Sequence, residues 1–155
     1  VTQVIETIDI RAPQDVVFGA ITDPRRTMEW NSNIVEFGDL SEYPAQLGTS
    51  WSQTAVMAGR PARLNCRISA WNPPGIGVLD ISGDQTAKVT TRCSRSDGAT
   101  HVEQTIDFKP PGGLIAAVTG NLIAQQLRRE LRKTLLRQKD ALEAENRGAS
   151  GSTPA

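Results

Sequence analysis

Residues 114–145 read as one uninterrupted amphipathic helix, and no other stretch narrows the possible folds as strongly. The span contains no proline and is entered through Lys109-Pro110-Pro111-Gly112-Gly113. From Gly120 onward, Gly120, Ile123, Ala124, Leu127, Leu131, Thr134, Leu135, Gln138 and Leu142 share one side of a 3.6-residue period. Arg128, Arg129, Arg132, Lys133, Lys139, Asp140 and Glu143 take the other side. At 1.5 Å per residue such a helix spans roughly 45–50 Å. Its apolar stripe must be buried against another element, so the upstream chain has to supply the surface that receives it.

That upstream chain reads mostly as strands. Residues 2–10 are β-branched and half alternating, with Val4, Glu6, Ile8 and Ile10 on one face and Thr7 and Asp9 on the other. Ala12-Pro13 stops this strand and starts a short helix carrying Asp15 in its first turn, then Val16, Val17, Phe18, Ala20 and Ile21. Asp23-Pro24 is a second cap-and-start signal for a brief helix ending near Trp30. Strands are then expected at 34–37, 49–57, 62–71, 77–82, 87–95 and 100–108. The breaks between the later ones are Ala58-Gly59-Arg60-Pro61, Asn72-Pro73-Pro74-Gly75, Gly83-Asp84 and Ser96-Asp97-Gly98. Connections this short join antiparallel neighbours, because parallel ones need a crossover of a dozen or more residues. The expected architecture is α+β: a curved antiparallel sheet of about seven strands wrapped around a long C-terminal helix, with two short helices after strand one. Residues 1–146 are expected to form one domain and the small polar tail 147–155 to be disordered. The chain starts at Val1, which leaves a removed N-terminal segment open.

Several function classes find no support. The formal net charge is zero, so there is no overall pull toward nucleic acid. No apolar run reaches the roughly 18 residues of a membrane span. The one histidine, His101, alternates outward, which argues against a histidine triad or a histidine-rich metal site. Gly75-Ile76-Gly77 and Pro111-Gly112-Gly113 read as turns, not phosphate loops. No cofactor and no metal is expected. Cys66 and Cys93 fall on expected strands four and six, roughly 9–10 Å apart at the usual strand spacing, too far for a disulfide. Two reduced core thiols are expected, in keeping with a cytoplasmic protein.

Local phrases also resemble a known family. Ile8-Asp9-Ile10-Arg11-Ala12-Pro13 is followed by Val16-Val17-Phe18, then Ile21-Thr22-Asp23-Pro24-Arg25-Arg26 and Glu29-Trp30-Asn31. Asp97-Gly98-Ala99-Thr100 precedes the last strand, and Leu135, Lys139, Leu142 and Glu143 mark the last helix. Over about residues 2–145 the chain resembles the START-like, or SRPBCC, superfamily with its helix-grip fold, and within it the polyketide cyclase/dehydrase and lipid-transport family. The resemblance implies a cavity between sheet and helix for an apolar small molecule or lipid.

Alternation then nominates the walls: Trp51, Gln53 and Met57; Leu64, Cys66 and Ile68; Leu79 and Ile81 from a strand of ambiguous phase; Val89 and Thr91; Gln104 and Ile106; and Leu127 and Leu131 from the helix. Glu6, Gln53, Thr91 and Gln104 are the inward polar groups suited to orienting a ligand. Tyr43 is placed near a pocket mouth or on the surface. Two alternatives stay open. One is an aromatase/cyclase-like enzyme, although Arg63 and Arg67 alternate outward where the family's cyclases often carry an inward arginine. The other is an interaction module with a collapsed core, for which Ala55→Leu and Ala70→Leu would disrupt packing. Arg128, Arg129, Arg132, Lys133, Arg137 and Lys139 form a basic band, either solvated or facing an acidic membrane or protein. The apolar helix start at 114–118, with Leu122, suggests a lid, a dimer contact or a buried end, leaving monomer and homodimer both open.

Overall fold

β-Branched residues favour extended backbone, and Thr2–Ile10 form strand β1 in the computed structural model, which describes residues 2–57, 59–109 and 115–151, with side chains of the last segment from 121 to 149. Pro13 caps helix α1 (Gln14–Ile21), which buries Val17, Phe18 and Ala20. Asp23 accepts the backbone N–H of Arg25 at 2.9 Å and opens a 3-10 turn, Pro24–Arg26, that runs into α2 (Thr27–Trp30). Six strands follow: β2 (Ile34–Gly38), β3 (Ser50–Met57), β4 (Arg60–Asn72), β5 (Ile76–Gly83), β6 (Ala87–Ser96) and β7 (Ala99–Phe108). Helix α3 (Ile115–Gly151) closes the chain. It continues past residue 146, where the tail was expected to begin; residues 152–155 lie outside the described ones.

The strands form one antiparallel sheet in the order β1-β7-β6-β5-β4-β3-β2. Short turns hold the register of the meander. At Asp97-Gly98 both residues have positive φ, 43° and 78°, and they join β6 to β7 with Ser96 opposite Ala99. Asp-Gly tolerates that left-handed pair, and its twist matches the strands it joins. Gly83 ends β5 at φ 105°, where a Cβ would meet the Arg63 carbonyl oxygen at 2.5 Å, so any side chain there collides with backbone. A register shift between Ile68 and Ala70 interrupts the alternation of β4. Beyond it Trp71 packs with the main core, its ring 5.2 Å from that of Phe18.

Helix α3 buries Leu131, Leu135 and Leu142 in a core shared with Val4 and Ile10 of β1, Val102 and Phe108 of β7, and Phe18 of α1. From Ile123 onward the stripe read from periodicity is the stripe that packs, and Gly120 lies outside the described side chains. Polar ties then fasten the helix to β1. Arg132 donates to Glu6 at 3.0 Å, Lys139 donates to the Asp9 carbonyl at 2.6 Å, and Glu143 accepts the Arg11 N–H at 2.8 Å. The basic band is therefore largely engaged within the chain. Arg128 also reaches Glu6 at 3.7 Å, Lys133 reaches Glu130 at 3.6 Å, and Arg137 donates to the Trp30 carbonyl at 3.0 Å, while Arg129 is exposed. Leu122 and Leu136 are exposed, and the apolar start at 114–118 lies outside the described side chains.

Two outcomes follow from this seating. Leu135 is 1% exposed, so Leu135→Ala should lower unfolding free energy by about 2–5 kcal/mol in a denaturant titration. The Arg11 N–H, helped by the Lys139 ammonium and opposed by burial, holds the Glu143 carboxyl below the ordinary glutamate range. A depressed folded pKa adds stability above the unfolded pKa, and that stability is lost as pH falls through the lowered value. Glu143→Gln should therefore lower the unfolding midpoint at neutral pH and leave it little changed in acid, as thermal melts across pH will read.

Candidate functional site

The inner face of the sheet and α3 do not close on each other completely. Between them lies a cavity of about 250 Å³. The sheet lines it with Trp51 and Gln53 from β3, Ile68 and Trp71 from β4, Leu79 and Ile81 from β5, Val89 and Thr91 from β6, and Gln104 and Ile106 from β7. Helix α3 adds Leu127, Glu130, Leu131, Thr134 and Gln138. A third wall comes from the segment between β1 and β2, through Ile21, Thr22, Pro24, Thr27, Trp30, Asn31 and Asn33.

Most residues nominated by alternation line this space, and three do not. Met57 and Leu64 pack with Ile34, Ala55 and Ala62 in a separate cluster. Cys66 is buried with Trp51 and Ile68, next to Phe37 and Leu40. Alternation fixes which face a side chain takes, not how far along the strand the cavity extends. By the same token Ala55 belongs to the side cluster, so Ala55→Leu probes that packing and not the cavity. The third wall, Trp71 and the helix polar pair Thr134 and Gln138 were absent from the nominated set. Trp71 was hidden by the β4 register shift. Thr134 and Gln138 carried a signal, being polar residues on an otherwise apolar helix stripe.

The inward polar groups are mostly paired. The Trp51 indole N–H donates to Gln53 at 3.0 Å, and Gln104 donates to the Thr91 hydroxyl at 3.0 Å. Both pairs are buried, which removes most of the cost of placing amides in an apolar wall. Glu6 faces α3, not the cavity, and is ion-paired with Arg132 and Arg128. Tyr43 is half exposed, donates to Asp23 at 3.2 Å and lies under the Arg25 guanidinium, away from the lining. His101 sits on the outer face at 2.7 Å from Asp9. Arg63 and Arg67 are exposed on the outer face, as alternation implied.

The cavity is poor in ionisable groups. Glu130 is the sole one among the described lining residues, and it accepts from Asn33 at 3.2 Å. That bond links the entry of β2 to α3. Among the described residues no three His, Cys, Asp or Glu side chains converge as a metal site would require. Cys66 and Cys93 are free and buried, and burial pushes both thiols up to about 12.

A curved antiparallel sheet gripping one long helix, with an apolar cavity between them, defines a helix-grip domain. The chain belongs to the polyketide cyclase/dehydrase and lipid transport family, whose profile matches residues 1–143. Among solved structures it is similar to TTHA0849 from Thermus thermophilus, with TM-score 0.79, 14% identity, and coverage of 93% of this chain and 99% of that one. The KanY protein gives TM-score 0.74 at 14% identity, covering 92% and 97%. DynU16, from the dynemicin biosynthetic locus, gives TM-score 0.63 at 22% identity, covering 93% of this chain and 48% of that one. At such identities the likeness establishes the fold alone. A comparison with curated proteins returns no match.

The raised thiols give a simple check on the burial pattern. Iodoacetamide at pH 8 should leave both cysteines unmodified in the folded protein and label both after denaturation, as intact mass will show, because thiolate is the reactive form.

Proposed function

We propose that this protein binds, and carries, a compact apolar small molecule or lipid in the cavity between the sheet and α3. The observation that supports this best is the composition of the lining. Leu79, Ile81, Val89, Ile106, Leu127 and Leu131 give apolar walls, and a few amides and hydroxyls are set among them. That is the usual character of a ligand site. The cavity falls just under the roughly 300–1,000 Å³ of drug-sized sites, which suits a ligand of one or two rings or a short acyl chain. The family's description agrees with a ligand of lipid or polyketide character.

Cyclisation and dehydration of a polyketone require a positioned acid or base. Glu130 is the only ionisable residue among the described lining, and it is held by Asn33 and Lys133. A binding role therefore asks less of this lining than catalysis does.

The test is native mass spectrometry of the purified full chain, followed by organic extraction. A neutral apolar compound is expected to co-purify. Val89→Phe, which fills a half-buried wall position, should cut its occupancy about tenfold while leaving the fold intact. Equal occupancy in the variant, or a compound retained only by denatured protein, would remove the cavity from the explanation.

A further inference from the structure

The side of α3 that lines the cavity carries Leu127, Glu130, Leu131, Thr134 and Gln138, a spacing that keeps them on one helix face. Glu130 is the charged member of that face. The cations around it point elsewhere: the side chains of Arg128, Arg132 and Lys133 are 48%, 64% and 55% exposed, against 29% for Glu130. Arg128 and Arg132 are moreover engaged with Glu6. The described lining thus holds one carboxylate and no cation. Two neighbours hold that carboxylate without cancelling it. Asn33 Nδ2 donates to Oε2 at 3.2 Å, and the Lys133 ammonium stands 3.6 Å from Oε1. An amide brings no charge, and an ammonium more than half exposed is screened by water. A carboxylate offers about four lone-pair positions, so acceptor capacity remains beyond these two contacts.

A charge taken into an apolar space must find an opposite one, because the lining replaces the water it loses. An anion entering this cavity meets a like charge and no cation. A cation meets a carboxylate with acceptor positions to spare, and a neutral molecule is indifferent to both. The buried amides of the sheet do not change this balance, since the Trp51–Gln53 and Gln104–Thr91 pairs are neutral. We infer that Glu130 sorts the ligands of this cavity by charge: the site takes neutral and cationic molecules, amines and amidines above all, and turns away carboxylates such as free fatty acids. This inference rests on the cavity being a ligand site, as proposed above, and goes further by giving the charge class of the ligand and the residue that sets it.

The experiment titrates the full chain at neutral pH with 2-naphthoate, 2-naphthamide and 2-naphthamidine. These probes share one two-ring body and nearly one shape, and they are anionic, neutral and cationic in turn. Wild type should bind the amidine most tightly and the carboxylate about tenfold more weakly than the amide, the size of one screened like-charge contact. Glu130→Gln keeps the side-chain shape and an acceptor for Asn33, so it should bring the three affinities to within about twofold of one another. Arg129→Gln removes a charge from the same turn on the exposed side of the helix and should leave the wild-type order intact. If Arg129→Gln levels the affinities as well, the field of the whole helix does the sorting and the role of Glu130 is overturned. A wild-type preference for the carboxylate, or an order that survives Glu130→Gln, overturns it too. If all three probes bind wild type alike, the charge filter fails and the cavity stands as a ligand site. If none binds, both fail.

Discussion

The seating of α3 against β1 is the constraint on which the other features depend. Leu131, Leu135 and Leu142 bury into a core shared with Val4 and Ile10, and the ion pair of Arg132 with Glu6 and the Glu143 contact to Arg11 fasten the same edge. A long helix held to one side of a curved sheet cannot also touch the middle strands along its whole length. The space left over β3 to β7 is the cavity. The helix residues that face it are Leu127, Glu130, Leu131, Thr134 and Gln138, a more polar set than the leucines that pack on β1. Burial of the stripe and the existence of the site thus have one origin.

The fold was legible in the sequence because its two periods are clean. Alternation in β3, β6 and β7 and the 3.6-residue stripe of α3 each name a buried face, and Asp97-Gly98 names a hairpin. The site was legible only where those periods persist. The β4 register shift moved Trp71 into the core against simple alternation. The wall made by Thr22, Thr27, Trp30 and Asn33 comes from a segment with neither period, so nothing in its spacing marked it as lining. Glu6 was placed on the correct face, yet its partner is a cation on the helix, because side-chain reach across elements is not written in either strand or helix spacing. The basic band shows the same limit: many of its charges also meet carboxylates and carbonyls elsewhere in the chain, which spacing along the helix does not reveal.

Similarity at 14–22% identity across nearly the whole chain means that the backbone arrangement persists while its side chains are exchanged freely. In this chain the described lining is apolar with one tethered carboxylate and two internally paired amides.

The sheet does not close into a barrel among the described pairings, so β2 is left as an edge strand. An unpaired edge invites pairing with another chain. Strand β2 is only five residues long, shifts register between Ile34 and Glu36, and points the exposed Glu36 outward. A short, kinked and charged edge makes a poor template for strand addition.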